Sequence, residues 1–246
     1  MTGPARDEVR VVTDPRALAT AAAKLIEDRI TAVLARRDSA VLALSGGGTP
    51  VPTFRRLATR RVPRCDWRRV EWFWVDERCL PARHRDSNYG TARRVLLRPL
   101  GVPAARVHPI QAGVRSPASA ARAYERLLRR VARDRRGTAL FDLVLLGLGR
   151  DGHTASLFPG SPSEAGRWVE AIEAPSGVLP PRRITMTPGA LNQAENVVFL
   201  VSGAGKSEPV RDALLHRADP LRVPARRIVP AGRRIWLVDR AAAALL

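Results

Sequence analysis

Short apolar runs alternate with amphipathic stretches along the chain, and this alternation limits the possible folds more than any other feature. AVLALS at residues 40–45 and FDLVLLGLG at residues 141–149 have the length and composition of buried strands. Residues 15–36 and 117–133 instead repeat apolar residues at helical spacing. Strands that alternate with helices in this way build parallel sheets. The sequence therefore predicts an α/β fold around a parallel sheet.

Other segments extend this pattern. Strands are predicted at residues 70–76, 183–187, 197–203 and 235–239, which gives roughly six in all, and a further helix at residues 87–97. Asp14 is the predicted N-cap of the first helix. A second helix is predicted to open at Pro50, with Thr49 as its cap.

The length of 246 residues, 45% of them apolar, suits one large domain over residues 1–246. The first fifteen residues lack the apolar core of a signal peptide, and no apolar run reaches the length of a membrane helix. Two cysteines are too few for a disulfide framework or a cysteine zinc site. We therefore expect a cytoplasmic protein that meets no membrane.

The formal charge of +19 raises the question of a nucleic-acid partner. Lys24 and Lys206 are the only lysines, and the arginines are scattered rather than gathered into one basic arm. Few aromatic residues accompany them, although stacking on single strands needs aromatic rings. A general preference for arginine explains the charge more simply, so no nucleic-acid partner is expected. A positive field still attracts an anionic small substrate.

Three predicted strands end in unusual residues: SGGGTP at 45–50, DER at 76–78 and GLGRDGH at 147–153. In open parallel sheets, ligands bind at the carboxyl ends of the strands, where successive loops converge. These three segments are therefore expected to share one cleft.

The segment SGGGTP suits a phosphate group. Glycines allow a close approach of the backbone, and the start of a helix offers free N–H groups. The predicted phosphate ligands are Ser45, Gly46, Gly47 and Thr49. No lysine follows the last glycine, so the segment is not a Walker A loop.

The cluster of Asp76, Glu77 and Arg78 allows two interpretations. Arg78 can donate two hydrogen bonds to a phosphate, and the carboxylates can accept from sugar hydroxyls. Alternatively, the carboxylates pair with the arginine and have only a structural role. Lys206 lies in a glycine-rich turn after a strand and is a candidate point charge for a phosphate.

The stretch GLGRDGHTASLFPG also has two interpretations. Its G-x-G-x-x-G spacing is that of a dinucleotide-binding turn, but Pro159 and Pro162 interrupt the helix that such a turn requires. RWVEAIEAPSG at residues 167–177 is moreover a poor candidate for the second strand. The alternative is acid–base catalysis by His153, with Asp151 orienting its ring. The histidines at positions 84, 108 and 216 have weaker contexts and are interpreted as structural.

Taken together, the motifs resemble those of the 6-phosphogluconolactonase family. The matching segments are LSGGGTP, VDERCLPARHRDSNYG, LGLGRDGHTASLFPG, RITMT with LNQAENVVFLVSGAGK, and PARRIVPAGRRIWLVDRAAA. The resemblance implies a three-layer α/β/α, Rossmann-like fold and hydrolysis of a phosphosugar lactone without metal or organic cofactor. It also implies that His153 is the acid–base residue and that Arg78 and Lys206 hold the phosphate. Asp76 and Asp151 are further catalytic candidates from the residues themselves. The expected assembly is a monomer or a weak homo-oligomer.

Three rival functions stay open at this point. An aminosugar-phosphate deaminase shares the fold and the DGH core, but it carries a glutamate where this chain has Phe158, and a tyrosine in place of Arg78. A phosphosugar sensor without activity and a basic nucleic-acid-binding protein are the other two. No G-x-S-x-G motif is present, so direct hydrolysis is favoured over an acyl-enzyme.

Overall fold

The computed structural model describes residues 7–59, 65–113, 116–135, 137–215 and 219–246. His216, which the sequence analysis assigned a structural role, lies outside these residues. Among the described residues, no helix combines the length and the hydropathy that crossing a membrane requires.

A seven-stranded sheet, parallel at every pairing, forms the centre of the protein, in the order β1-β10-β9-β6-β2-β3-β5. Its strands are β1 (Asp7–Val12), β2 (Ala40–Leu44), β3 (Val70–Trp74), β5 (Val107–His108), β6 (Leu143–Leu146), β9 (Asn196–Val201) and β10 (Arg233–Asp239). The inner strands β2, β6 and β9 are buried along their whole length, as strands covered on both faces must be. The predicted parallel α/β sheet is confirmed.

Helices of very different lengths connect these strands. They are α1 (Pro15–Leu34), α2 (Val51–Ala58), α3 (Asn88–Ala92), α4 (Pro117–Asp134), α5 (Pro188–Leu191) and α6 (Ser207–Leu214). A π-helical turn, Arg93–Leu97, extends α3, and short 3₁₀ turns cover Trp67–Arg69, Ala104–Arg106, Ala204–Lys206 and Pro224–Arg227. Asp14 caps α1 as predicted, because its carboxylate accepts from the amides of Arg16 and Ala17. The prediction of Thr49 as the cap of α2 is wrong, since Pro50 is the N-cap residue and no side chain caps that helix.

A second, three-stranded antiparallel sheet was not predicted. It has the order β4-β8-β7 and consists of β4 (Asp76–Arg78), β7 (Val169–Glu173) and β8 (Arg182–Met186). The predicted strand at residues 70–76 is therefore two strands in different sheets. The strand predicted at residues 183–187 belongs to the small sheet, and residues 167–177, judged a poor strand, contain β7. Only Val169 of β7 is buried, and its other residues are half-buried or exposed, so the strand lacks the apolar run of a buried strand.

The described chain thus has ten strands instead of roughly six. β1 was not predicted because half of its sequence DEVRVV is charged, which suits an edge strand that remains largely exposed. β5 has only two residues and carries no periodic pattern. The small sheet approaches the large one where β3 leads directly into β4, and this junction brings residues of both sheets to one cavity.

Candidate active site

A cavity of about 200 Å³ lies where the loops after β2, β6 and β9 meet the small sheet. It is lined by Ser45, Gly46, Gly47, Gly48, Thr49, Pro50, Asp76, Arg78, Asn88, Gly147, Leu148, Gly149, His153, Ala155, Arg183 and Lys206. All the predicted site residues except Asp151 therefore border one space. Asp151 lies behind His153 and borders a neighbouring cavity instead.

His153 and Asp151 form a hydrogen-bonded pair on the loop that follows β6. The Nδ1 atom of His153 lies 2.6 Å from Oδ1 of Asp151, and the backbone amide of His153 donates to the same oxygen over 3.2 Å. The histidine side chain is 32% exposed, which leaves its ring open to a ligand in the cavity. Its ring also packs against Phe158, with 5.0 Å between the two centroids.

The negative charge of Asp151 determines which ring nitrogen of His153 carries the proton. Burial on its own raises the pKa of Asp151, but the hydrogen bond with His153 and the histidine's charge outweigh it and leave the pKa below its ordinary value. An ionised Asp151 can only accept a hydrogen bond, so it takes the proton-bearing Nδ1 as its partner. The lone pair of the neutral imidazole then lies on Nε2, which is the arrangement of a general base.

Glycines create the turn that presents His153. A Cβ atom at Gly149 would overlap both the Nδ1 atom of His153 and the carboxylate of Asp151. Gly152 has a φ of +82°, a conformation that side chains other than glycine rarely adopt. The G-x-G-x-x-G spacing therefore serves the shape of this loop, and no helix follows it between Gly152 and Val169.

Hydrogen bonds hold the loop beyond His153 against both sheets. Thr154 Oγ1 donates to the carbonyl of Gly147 over 2.8 Å, and Ser156 Oγ donates to Oδ2 of Asp76 over 2.7 Å. Ala155, between them, has a φ of +50°, a strained conformation for a residue with a Cβ. Strain of this kind persists only where the surrounding contacts dictate the backbone, and here it occurs at the cavity wall.

The two carboxylates of the DER cluster have different surroundings because side chains alternate across a strand. Asp76 borders the cavity and accepts from Ser156 and from the amide nitrogen of Asn88. Glu77 is buried and accepts from the backbone amides of Arg78, Asn88 and Tyr89. Burial raises the pKa of Glu77, while these hydrogen bonds act against that rise. Glu77 therefore anchors the start of α3 and does not reach the cavity.

The glycine loop after β2 forms the opposite wall of the cavity. Gly46 lies so close to Asn88 that a Cβ atom there would overlap the asparagine amide. Among the described residues, the backbone amides of positions 46–49 have no hydrogen-bond acceptor from the protein. These residues line the cavity together with Ser45, and unpaired backbone donors next to hydroxyl groups are the composition of an anion-binding loop.

Three basic side chains complete the lining. Arg78 donates to the carbonyl of Asp86 over 2.6 Å, and its buried Nε has no partner among the described residues. Burial, reinforced by the charge of Arg78, lowers the pKa of Arg183. Burial also lowers the pKa of Lys206, assisted by Arg150 and opposed by Asp151. All three positive charges are therefore partly desolvated and oriented toward one space.

Sequence reasoning missed two of the lining residues, Arg183 and Asn88. Each was quoted within a matching segment, but neither was singled out as a site residue. Arg183 could be found only by knowing that β8 pairs with β4, which places it opposite Arg78. Asn88 has a buried Oδ1 atom without a partner in the described part of the chain, and no sequence signal reveals that.

Comparison with known proteins defines the class to which this fold and cavity belong. Residues 13–236 match the family model described as "Glucosamine-6-phosphate isomerases/6-phosphogluconolactonase". The chain therefore belongs to this family, and the resemblance drawn from the motifs is confirmed.

Individual relatives locate the chain within the family. The 6-phosphogluconolactonase of Synechocystis is 38% identical over 237 residues, which cover 96% of this chain and 96% of the relative. The solved structure of 6-phosphogluconolactonase from Trypanosoma brucei superposes with a TM-score of 0.84 at 32% identity, covering 98% of this chain and 99% of that one. A monomeric glucosamine-6-phosphate deaminase has a TM-score of 0.83 at 22% identity and covers 97% of this chain and 100% of its own. That last likeness concerns the fold, and it agrees with the predicted three-layer α/β/α architecture.

Proposed function

We propose that this chain hydrolyses 6-phospho-D-glucono-1,5-lactone to 6-phosphogluconate, a step of the oxidative pentose phosphate pathway. Two findings support the proposal: relatives of nearly full length are named for this activity, and the cavity combines an acid–base pair with anion-binding groups. The observation that carries it is the 2.6 Å contact of His153 Nδ1 with Asp151, which leaves Nε2 free at the cavity wall.

The proposed reaction is a direct attack of water on the lactone carbonyl. Nε2 of His153 takes a proton from the water as its oxygen bonds to the carbonyl carbon, which produces a tetrahedral oxyanion. The histidine then returns this proton to the ring oxygen, the bond between that oxygen and the carbonyl carbon breaks, and the acid is released. One such acid–base group contributes about 10²–10⁴-fold to the rate.

Groups on both walls of the cavity are candidates to stabilise the oxyanion. The amide of Gly152 is a poor one, because it already donates to the carbonyl of Gly149 over 3.3 Å. The free amides of residues 46–49 are better suited, because fixed donors in a desolvated site stabilise developing negative charge. We assign the phosphate group to Arg78 and Lys206, with the hydroxyls of the glycine loop nearby.

The deaminase alternative is less well supported by the residues. The position at which the sequence analysis expects a catalytic glutamate in deaminases is Phe158, a buried ring that packs against His153. A phenyl ring cannot exchange protons, so this site lacks a second acid–base group at that position. As in the sequence analysis, we also expect a cytoplasmic enzyme that is a monomer or a weak homo-oligomer.

An assay with lactone produced in situ from glucose 6-phosphate tests the proposed function. The substrate hydrolyses unaided, so the measurement runs cold and slightly acidic beside a reaction without enzyme. We expect a strong acceleration of 6-phosphogluconate formation and no release of ammonia from glucosamine 6-phosphate. Hydrolysis at the uncatalysed rate would refute the proposal. Ammonia release would favour the deaminase, and salt-sensitive binding of duplex DNA would favour the nucleic-acid function.

A further inference from the structure

Arg78 and Arg183 face each other across the small sheet. They are directly paired residues in the antiparallel ladder of β4 and β8, next to the pairs Glu77 with Ile184 and Asp76 with Thr185. Side chains of directly opposed residues lie on the same face with their Cβ atoms about 4.5–5.5 Å apart. Both arginines border the cavity. Like charges at directly opposed positions destabilise a sheet, so this arrangement needs a compensating group.

The protein itself supplies little compensation. Neither guanidinium forms an ion pair with a carboxylate in the described part of the chain, and Asp76 is the one acidic residue among those that line the cavity. Asp76 is moreover engaged with Ser156 and Asn88. With Lys206, three positive charges therefore meet one negative charge around a partly desolvated space.

Arg183 is nevertheless held firmly in this position. It is 5% exposed, and its Nε donates to the carbonyl of Pro180 over 3.1 Å while Nη2 donates to that of Leu179 over 3.4 Å. Its guanidinium lies 5.6 Å from the centroid of the Phe158 ring. These contacts use one edge of the guanidinium fork and leave the Nη1 group without a protein acceptor among the described residues.

We infer that Arg183 is a second phosphate-binding residue and that it forms, with Arg78, a paired-guanidinium clamp selective for a dianionic phosphate monoester. An anion with two negative charges neutralises the clamp together with the cavity's remaining charges, and its oxygens match the planar donors of guanidinium groups. The inference rests on the proposed function for the identity of the ligand, a six-carbon sugar acid phosphorylated at its far end. The uncharged sugar alone gains nothing from the clamp.

Calorimetric titration with 6-phosphogluconate, gluconate and inorganic phosphate tests the clamp without requiring catalysis. For Arg183→Gln we expect the Kd of 6-phosphogluconate to rise about 10–100-fold, because a charge-assisted contact is lost, while gluconate binding changes less than about threefold. Arg182→Gln is the matched control, since Arg182 is the exposed neighbour in the same strand. Its Kd values should stay within about twofold of the wild type.

Thermal unfolding separates this role from a purely structural one. In a buffer free of polyvalent anions, removing one of two opposed like charges should leave the melting temperature of Arg183→Gln unchanged or higher. Added phosphate should stabilise the wild type and stabilise the variant much less. Two results would overturn the inference of a clamp. One is equal stabilisation of the wild type and Arg183→Gln by phosphate. The other is a loss of affinity for gluconate as large as the loss for 6-phosphogluconate.

Arg183→Lys decides the matter if the glutamine variant does not fold. Lysine retains the charge but not the fork, so we expect a Kd for 6-phosphogluconate between those of the wild type and of an uncharged variant. An unchanged Kd in that variant would count against the clamp. Because the titration measures binding alone, a wild-type protein inactive toward the lactone would refute the proposed function and leave the clamp separately measurable.

Discussion

The two sheets contribute to the cavity in different ways. The large parallel sheet contributes loops beyond its strand ends, and these carry the glycine loop and the acid–base pair of His153 and Asp151. The small antiparallel sheet contributes the residues of its strands themselves, above all the arginine pair of Arg78 and Arg183. A loop can adjust around a reacting group, whereas a ladder fixes the spacing of two charges. The comparison indicates that the acid–base chemistry resides on the large sheet, whereas the small sheet adds a fixed pair of charges for anion recognition.

Removing the base is expected to have the largest effect. His153→Ala should lower kcat about 10²–10⁴-fold while KM changes little, because the ring moves protons and does not hold the phosphate. Steady-state rates on the phosphorylated lactone measure this. His84→Ala, on an exposed loop, is the control and should retain the wild-type rate. A rise in KM as large as the fall in kcat would show that the His153 loop also binds the substrate. That result would contradict the difference drawn between the two sheets.

Removing a charge from the small sheet should affect binding instead. Arg78→Gln is expected to raise KM for the phosphorylated lactone about 10–100-fold, because a partly desolvated, charge-assisted contact is lost. Arg85→Gln provides the matched control, since that side chain is 89% exposed in the loop after β4. If Arg78→Gln lowered kcat and left KM unchanged, the arginine pair would belong to the chemistry.

Glu77 tests whether the small sheet also has a purely structural carboxylate. Glu77→Gln should lower the free energy of unfolding by about 1–3 kcal/mol, since a buried acceptor of several amide hydrogen bonds is impaired. Denaturant unfolding measures the loss, and the folded variant should keep its kcat. Glu173→Gln, on the exposed side of β7, should change stability by less than about 0.5 kcal/mol. Lost activity in a stable Glu77→Gln protein would contradict the structural role.

Deprotonation of Lys206 should produce the smallest effect, visible only at alkaline pH. Burial lowers the pKa of Lys206, so in the folded protein it loses its proton at a lower pH than an ordinary lysine. Because a phosphate dianion prefers the protonated ammonium, affinity for 6-phosphogluconate should be full below that pKa and decline as pH rises through it. Calorimetry from about pH 7 to about pH 10 should show this decline in the wild type. It should persist in Lys24→Gln and vanish in Lys206→Gln, and its presence in Lys206→Gln would contradict the assignment.

The sequence predicted the large sheet better than the small one, and the reason is physical. Buried parallel strands such as β6 and β9 are continuous apolar runs, which stand out in any sequence. β4 has three residues, all charged, and β7 has two glutamates among its five residues, so neither resembles a buried strand. Their existence depends on pairing with β8, which is a tertiary event.

The residues of the candidate site likewise divide into those that the sequence predicted and those that it did not. Loop residues such as His153 were predictable because glycine-rich turns at strand ends are recognisable in the sequence. Arg183 was not, because its importance arises only from the register that sets it opposite Arg78. The role of Glu77 was left open, since its position on the side of β4 away from the cavity follows from where that strand begins. Whether these residues act as assigned remains a prediction.

Substrate selectivity tests the division between the two sheets most directly. The measurement is kcat/KM for 6-phosphogluconolactone and for glucono-1,5-lactone, in the wild type, Asp151→Asn and Arg78→Gln. We predict that Asp151→Asn lowers both values by the same factor, about tenfold or more, because the acid–base pair acts on the ring common to both lactones. Arg78→Gln should lower only the value for the phosphorylated lactone. Equal losses on both lactones in Arg78→Gln, or a changed ratio in Asp151→Asn, would contradict the account.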